Sequence, residues 1–213
     1  MNVFGYTVHI MNAGNREEAR TLELLQAIDQ GSNVTQRRLA DRLGVALGLA
    51  NSYLKRCVRK GLVKVRQAPA NRYLYYLTPK GFAEKSRLTR EYLGNSFHFF
   101  RVASSSMRDV LESCAAEGCR NIVLCGTSEL AEIALLRVRE YPLQIIGVYD
   151  PDCTQDRFLT LVVWKDLGAV PPVDGAIITS ISAPVAMRDR AAAHFGASRV
   201  RVPGILGLGG AGS

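Results

Sequence analysis

Residues 34–76 read VTQRRLADRLGVALGLANSYLKRCVRKGLVKVRQAPANRYLYY, and this stretch decides the fold. Leu39, Ala40, Leu43 and Val45 gather on one apolar face, and Gly44 interrupts the helical pattern. A second helix is predicted over 46–60, with Ala50, Leu54 and Cys57 turned inward at helical spacing. Gly61 ends it, because glycine takes the left-handed conformation of a helix C-terminus without a Cβ penalty. Two β-prone runs follow at 62–65 and 73–77, with Arg66 and Arg72 bounding the polar loop between them. Helix, tight turn, helix and two-stranded hairpin is the layout of a winged helix-turn-helix.

Before this stretch, residues 16–28 are amphipathic, with Ala19, Leu22, Leu25 and Ile28 on one face. Glu17 and Glu18 stand in the first turn, where the helix dipole favours them. Residues 1–14 show no pattern and are expected to form a loose arm or a short strand. After it, Thr78 and Pro79 open a helical region over 79–117, as an N-cap followed by proline at the first helical position. Leu93, Phe97, Phe100, Ser104, Met107, Leu111 and Cys114 then recur at alternating spacings of four and three, a coiled-coil-like seam. Gly94-Asn95 and the serines at 104–106 weaken it, so two helices with a bend are expected. A homodimer contact through Leu93, Phe97, Phe100, Met107 and Leu111 is expected. The alternative is a seam that packs on its own domain.

Beyond Gly118 the pattern changes. Strand-like runs at 121–125, 144–149, 159–163, 176–180 and 199–202 alternate with helical stretches at 129–139 and 183–195 and a short turn or helix at 164–167. Such alternation predicts an α/β Rossmann-like domain with a parallel, doubly wound sheet. The expected organisation is a winged helix at 1–80, a helical linker at 81–117, a Rossmann-like domain at 118–205 and a flexible glycine-rich tail at 206–213.

Charge divides along the same line. The net charge of +8 is uneven: residues 1–101 hold 17 Lys and Arg against 7 Asp and Glu, and residues 102–213 hold 10 against 12. A basic front half is expected to meet a polyanion. Five cysteines, at 57, 114, 119, 125 and 153, form no C-x-x-C pair, and no signal-peptide pattern or apolar run of membrane-spanning length appears. A cytoplasmic protein with idle thiols, no metal site and no membrane partner is expected. His9, His98 and His194 are isolated and no serine has an evident histidine partner, so the chain is expected not to be an enzyme.

Two candidate sites emerge. On the winged helix, the start of the second helix reaches base edges in such folds. The candidate DNA contacts are Thr35, Gln36, Arg37, Leu47, Gly48, Asn51, Ser52, Lys55, Arg56, Arg59, Arg66 and Arg72. Asn51 could pair with adenine and Ser52 with several bases, while the cations hold phosphates. Leu47 and Leu49 are awkward on a DNA-reading face: one could contact a thymine methyl, or the helix could be rotated. In the second domain, Gly126-Thr127-Ser128-Glu129-Leu130-Ala131 occupies the first strand-to-helix turn, where helix N–H groups bind phosphates. Against G-x-G-x-x-G/A, the second glycine is replaced by Ser128, whose Cβ obstructs a pyrophosphate. Asp150 ends the second strand, where an acid binds a ribose hydroxyl, and Ser180 faces the same crevice. Gly126, Thr127, Ser128, Glu129, Asp150 and Ser180 are therefore candidates for a nucleotide or sugar nucleotide, with NAD less favoured.

TQRRLADRLGV, LKRCVRKGLVKV and YLTPKGFAEKSRLTREYL, within residues 16–92, resemble the MarR-type winged-helix regulators associated with exopolysaccharide gene clusters. IVLCGTSELAEIALLRV and IIGVYDPD resemble the Rossmann-type domain of sugar-nucleotide and polysaccharide biosynthesis proteins, whose turn is usually glycine-rich. The first resemblance implies a bacterial, dimeric transcriptional regulator bound to double-stranded DNA. Together they imply a second domain that senses a nucleotide-type metabolite. The alternatives are an NAD(H)- or redox-responsive repressor, and a regulator whose second domain serves only assembly.

Overall fold

The computed structural model describes residues 13–31, 34–69 and 72–208. The side chains of residues 13–16 and 72 are outside that description, as are residues 1–12 of the arm expected at 1–14 and residues 209–213 of the tail expected at 206–213. The chain forms two compact units, Met1–Ser96 and Phe97–Ser213.

The N-terminal unit is a winged helix-turn-helix. It contains α1 (Ala13–Asp29), α2 (Gln36–Leu43), α3 (Leu47–Arg59), β1 (Val63–Ala68), β2 (Arg72–Leu77) and the first part of α4 (Pro79–Ala116). Thr35 caps α2, its hydroxyl oxygen accepting the Arg38 N–H at 3.2 Å. Gly44 ends α2 at φ +58°, and its N–H reaches back to Ala40 and Asp41 carbonyls. Leu22 and Leu25 of α1, Leu39 and Leu43 of α2, and Ala50, Leu54 and Cys57 of α3 close one core, joined by Tyr75 of β2 and Leu88 of α4. The hairpin is antiparallel and pairs Val63 with Leu77 and Val65 with Tyr75. Gly81 lets the start of α4 lie against the backbone of Leu62, whose carbonyl a Cβ at this position would overlap.

The C-terminal unit is an α/β sandwich. β3 (Asn121–Cys125), β4 (Gln144–Tyr149), β6 (Leu161–Trp164), β7 (Gly175–Ile178) and β8 (Val200–Arg201) are parallel, and β5 (Arg157–Phe158) runs antiparallel at the edge, in the order β5-β6-β4-β3-β7-β8. α5 (Glu129–Arg137) and α6 (Pro184–Phe195) connect them. Alternate residues of β3 face opposite layers. Ile122 and Leu124 join one core with Met107 and Leu111 of α4 and Leu130 of α5. Val123 and Cys125 join the other with Met187 and Ala191 of α6. This is the doubly wound sheet expected from the strand–helix alternation.

Three expectations are corrected. The region expected as two helices is one continuous helix, Pro79–Ala116, in which Ser104 and Ser106 meet tertiary partners. Ser104 is buried and Arg137 donates to its hydroxyl at 3.4 Å, while Ser106 accepts the Ile205 N–H at 3.1 Å. The third strand is preceded by a hairpin arm, β5, and Leu159 makes the turn at φ +53°. The seam is also not one surface. Leu93, Phe97 and Phe100 are exposed, whereas Met107 and Leu111 are fully buried in the C-terminal unit and unavailable to a second copy. Among the described residues, no helix is long and apolar enough to cross a membrane.

Candidate functional site

α3 begins without a side-chain cap. Ala46 is extended at the N-cap and makes no cap hydrogen bond, so the first N–H groups of the helix keep no side-chain acceptor. Ala50, Leu54 and Cys57 face the core, and burial pushes the Cys57 thiol up to about 11. Gly48, Ser52, Lys55 and Arg59, spaced four, three and four apart, are exposed on the opposite side. Leu47 and Leu49 flank that stripe, 45% and 48% exposed. Lys55 and Arg59 have no ion pair among the described residues, nor have Arg37 of α2 or Lys64 and Arg66 of β1. Lys64 and Arg66 alternate onto one face of the wing, opposite Tyr76 and Leu74. Lys64 is not among the sequence candidates, although its period-two spacing from Arg66 is a usable signal.

Several candidates are engaged elsewhere. Thr35 is the α2 cap, and Gln36 donates from Nε2 to the Tyr75 hydroxyl at 3.3 Å, tying α2 to the wing. Ser52 donates its hydroxyl proton to the Gly48 carbonyl at 3.0 Å. Two roles are corrected. Arg56 turns to Glu17 of α1, forms an ion pair with it and lies over the Tyr53 ring at 5.9 Å. Asn51 is half-buried, with Oδ1 enclosed and unpartnered, so it does not present both ends of its amide to an adenine. The Arg72 side chain lies outside the described residues.

In the C-terminal unit, Gly126 follows β3 at φ +114°, and a Cβ there would lie 2.5 Å from Ser180. The chain turns here between β4 on one side of β3 and β7 on the other, the switch point of the sheet. Gly126, Thr127, Ser128, Asp150 and Ser180 converge there, with Glu129 in the first turn of α5. Thr127 bonds to Asp150, and Gly126 and Ser128 bond to Thr179. Thr127 donates to Asp150 Oδ2 from its N–H at 2.8 Å and its hydroxyl at 2.5 Å, and Asp152 N–H donates to Asp150 Oδ1 at 3.1 Å. Ser128 donates to the Thr179 carbonyl at 2.6 Å and accepts the Leu130 N–H at 3.1 Å, while the Thr179 hydroxyl donates to the Gly126 carbonyl at 2.6 Å. The Thr127 donors are thus turned to a carboxylate, and a second carboxylate, Glu129, stands at the helix start. This donor set does not fit a pyrophosphate.

Comparison with known proteins follows the same division. Residues 18–64 match the family model for winged helix-turn-helix DNA-binding domains. The match lies within the N-terminal unit, whose fold is a winged helix-turn-helix. No curated protein matches the chain. Among solved structures, the PcaV transcriptional regulator from Streptomyces coelicolor is similar at 23% identity and a TM-score of 0.36, over 38% of this chain and 59% of its own. The chain therefore spans less than two thirds of that regulator. An O-methyltransferase from neocarzinostatin biosynthesis, in complex with S-adenosyl-L-homocysteine, is similar at 19% identity and a TM-score of 0.38, over 92% of this chain and 84% of its own. Human N-acetylserotonin methyltransferase in complex with SAM is similar at 12% identity and 0.33, over 78% and 66%. The expectation that the chain is not an enzyme is corrected by these two enzymes and is withdrawn. Similarity at these TM-scores carries no activity into this chain.

Proposed function

We propose that the chain is a transcriptional regulator that binds double-stranded DNA through α3 and the β1–β2 wing. The observation that carries this reading is a group of exposed cations on α2, α3 and the wing, Arg37, Lys55, Arg59, Lys64 and Arg66, which like Arg38, Arg42 and Lys60 beside them form no ion pair among the described residues. In the same unit Arg20, Arg56, Lys85 and Arg87 are all neutralised by neighbouring carboxylates. Free cations beside an uncapped helix start fit a polyphosphate backbone, whose condensed counterions they would release. Binding of the full chain to random-sequence duplex DNA, measured from 50 to 200 mM salt, tests it. Affinity that falls steeply with salt is expected; affinity indifferent to salt, or none, overturns it.

Pairing of two copies, needed to read two half-sites, is proposed through Leu93, Phe97 and Phe100 alone. Surface-polysaccharide gene clusters are proposed as the regulated genes, on the resemblance of residues 16–92. For the C-terminal unit the closed turn at Gly126 favours an assembly role over sensing of a dinucleotide. Calorimetric titration with NAD(H) and with a uridine diphosphate sugar is expected to be flat. A saturable heat that disappears in Asp150→Ala would overturn this second reading.

A further inference from the structure

The tip of α3 carries little polar reading capacity. The Ser52 hydroxyl proton is spent on Gly48, Asn51 Oδ1 is enclosed, and Gly48 has no side chain. What the first turn presents instead is Leu47 and Leu49, 45% and 48% exposed, although Leu39, Leu43 and Leu54 of the same unit are at most 4% exposed. Two leucines left in water within one turn forgo the burial that these three achieve. Gly48 between them has nothing within 4 Å of where a Cβ would stand, so the helix end can come close to a flat surface. The two side chains point roughly 200° apart around the axis at 3.6 residues per turn, and so cover two separate places. On base edges in the major groove, the apolar group is the C5-methyl of thymine.

We propose that α3 selects thymine-bearing sites by covering C5-methyl groups with Leu47 and Leu49. This rests on the DNA-binding reading above and names what the helix recognises there. Lys55, about two turns along, and Arg59, about one turn further, supply phosphate contacts and register rather than sequence.

Duplexes selected from a random pool by the full-length chain, then resynthesised with uracil in place of thymine, provide the test. The substitution removes only the methyl group. Affinity is expected to fall roughly four-fold per covered methyl. Leu47→Ala with Leu49→Ala should bind thymine and uracil duplexes equally, with the salt slope of the unaltered protein and an unchanged helical circular dichroism spectrum. Equal affinity of the unaltered chain for both duplexes, with a steep salt slope, overturns this inference and leaves the DNA reading standing. Discrimination that survives in the double variant also overturns it. Absence of salt-dependent binding to any pool overturns the DNA reading and the inference with it.

Discussion

α3 and α5 both begin at a place where their folds meet ligands, and they begin in opposite ways. α5 is closed: Ser128 caps it, Asp150 takes the Thr127 donors, and Thr179 bonds to Gly126. α3 is open: Ala46 offers no cap, Gly48 leaves its surface bare, and the exposed Lys55 and Arg59 have no counter-charge among the described residues. A fold fixes where unsatisfied helix N–H groups lie. The side chains around them decide whether any bonding capacity is left for a partner. By that criterion the start of α3 keeps its side-chain surface for a partner, whereas the C-terminal turn commits its Thr127 and Leu130 donors internally.

Substitutions can break this contrast. The largest effect is expected for Gly126→Ala, which adds a left-handed strain and a Cβ clash with the Ser180 backbone; the C-terminal unit should lose about 3 kcal/mol or more in chemical denaturation. Asp150→Ala removes the acceptor of three hydrogen bonds and should cost about 2 kcal/mol, leaving DNA affinity unchanged. A large gain in ligand affinity would mean instead that Asp150 was only holding the turn shut. Ala46→Ser adds the cap that α3 lacks. It should raise the thermal midpoint, by about 1 kcal/mol of stability, while weakening DNA binding, because a helix N–H group would then be occupied. The smallest effect lies at the far end of β3, where Asp174 accepts the Arg120 and Asn121 N–H groups, both at 2.8 Å. Those bonds hold its carboxyl below the usual carboxylate range. Its stabilisation is therefore present above that range and lost as pH falls through the lowered value. Asp174→Asn should lower the thermal midpoint at neutral pH, and the difference should vanish in acid.

The winged helix and the doubly wound sheet are legible in the sequence because their signals are local. Leu39, Leu43, Ala50, Leu54 and Cys57 keep the helical period, and the apolar strands are short and separate. The features that escape depend on partners remote in sequence. Met107 and Leu111 continue the period of Phe97 and Phe100, yet β3 and α5 cover the former pair and leave the latter exposed. Nothing near Arg56 marks Glu17 as its partner. The β5 arm has two residues and turns at Leu159 without a glycine, so no turn signal exists. At the C-terminal turn the right residues are visible, but Asp150 can be read toward a ribose. Only its bonds to Thr127 reveal that it faces inward.

The most direct test of the open α3 surface is the salt slope of DNA binding for the unaltered chain beside Lys55→Ala with Arg66→Ala. The log–log slope should shrink by about 0.9 for each phosphate that is no longer neutralised, close to 2 in all, with affinity falling at every salt concentration. An unchanged slope and affinity in the double variant would contradict the assignment of DNA binding to α3 and the wing.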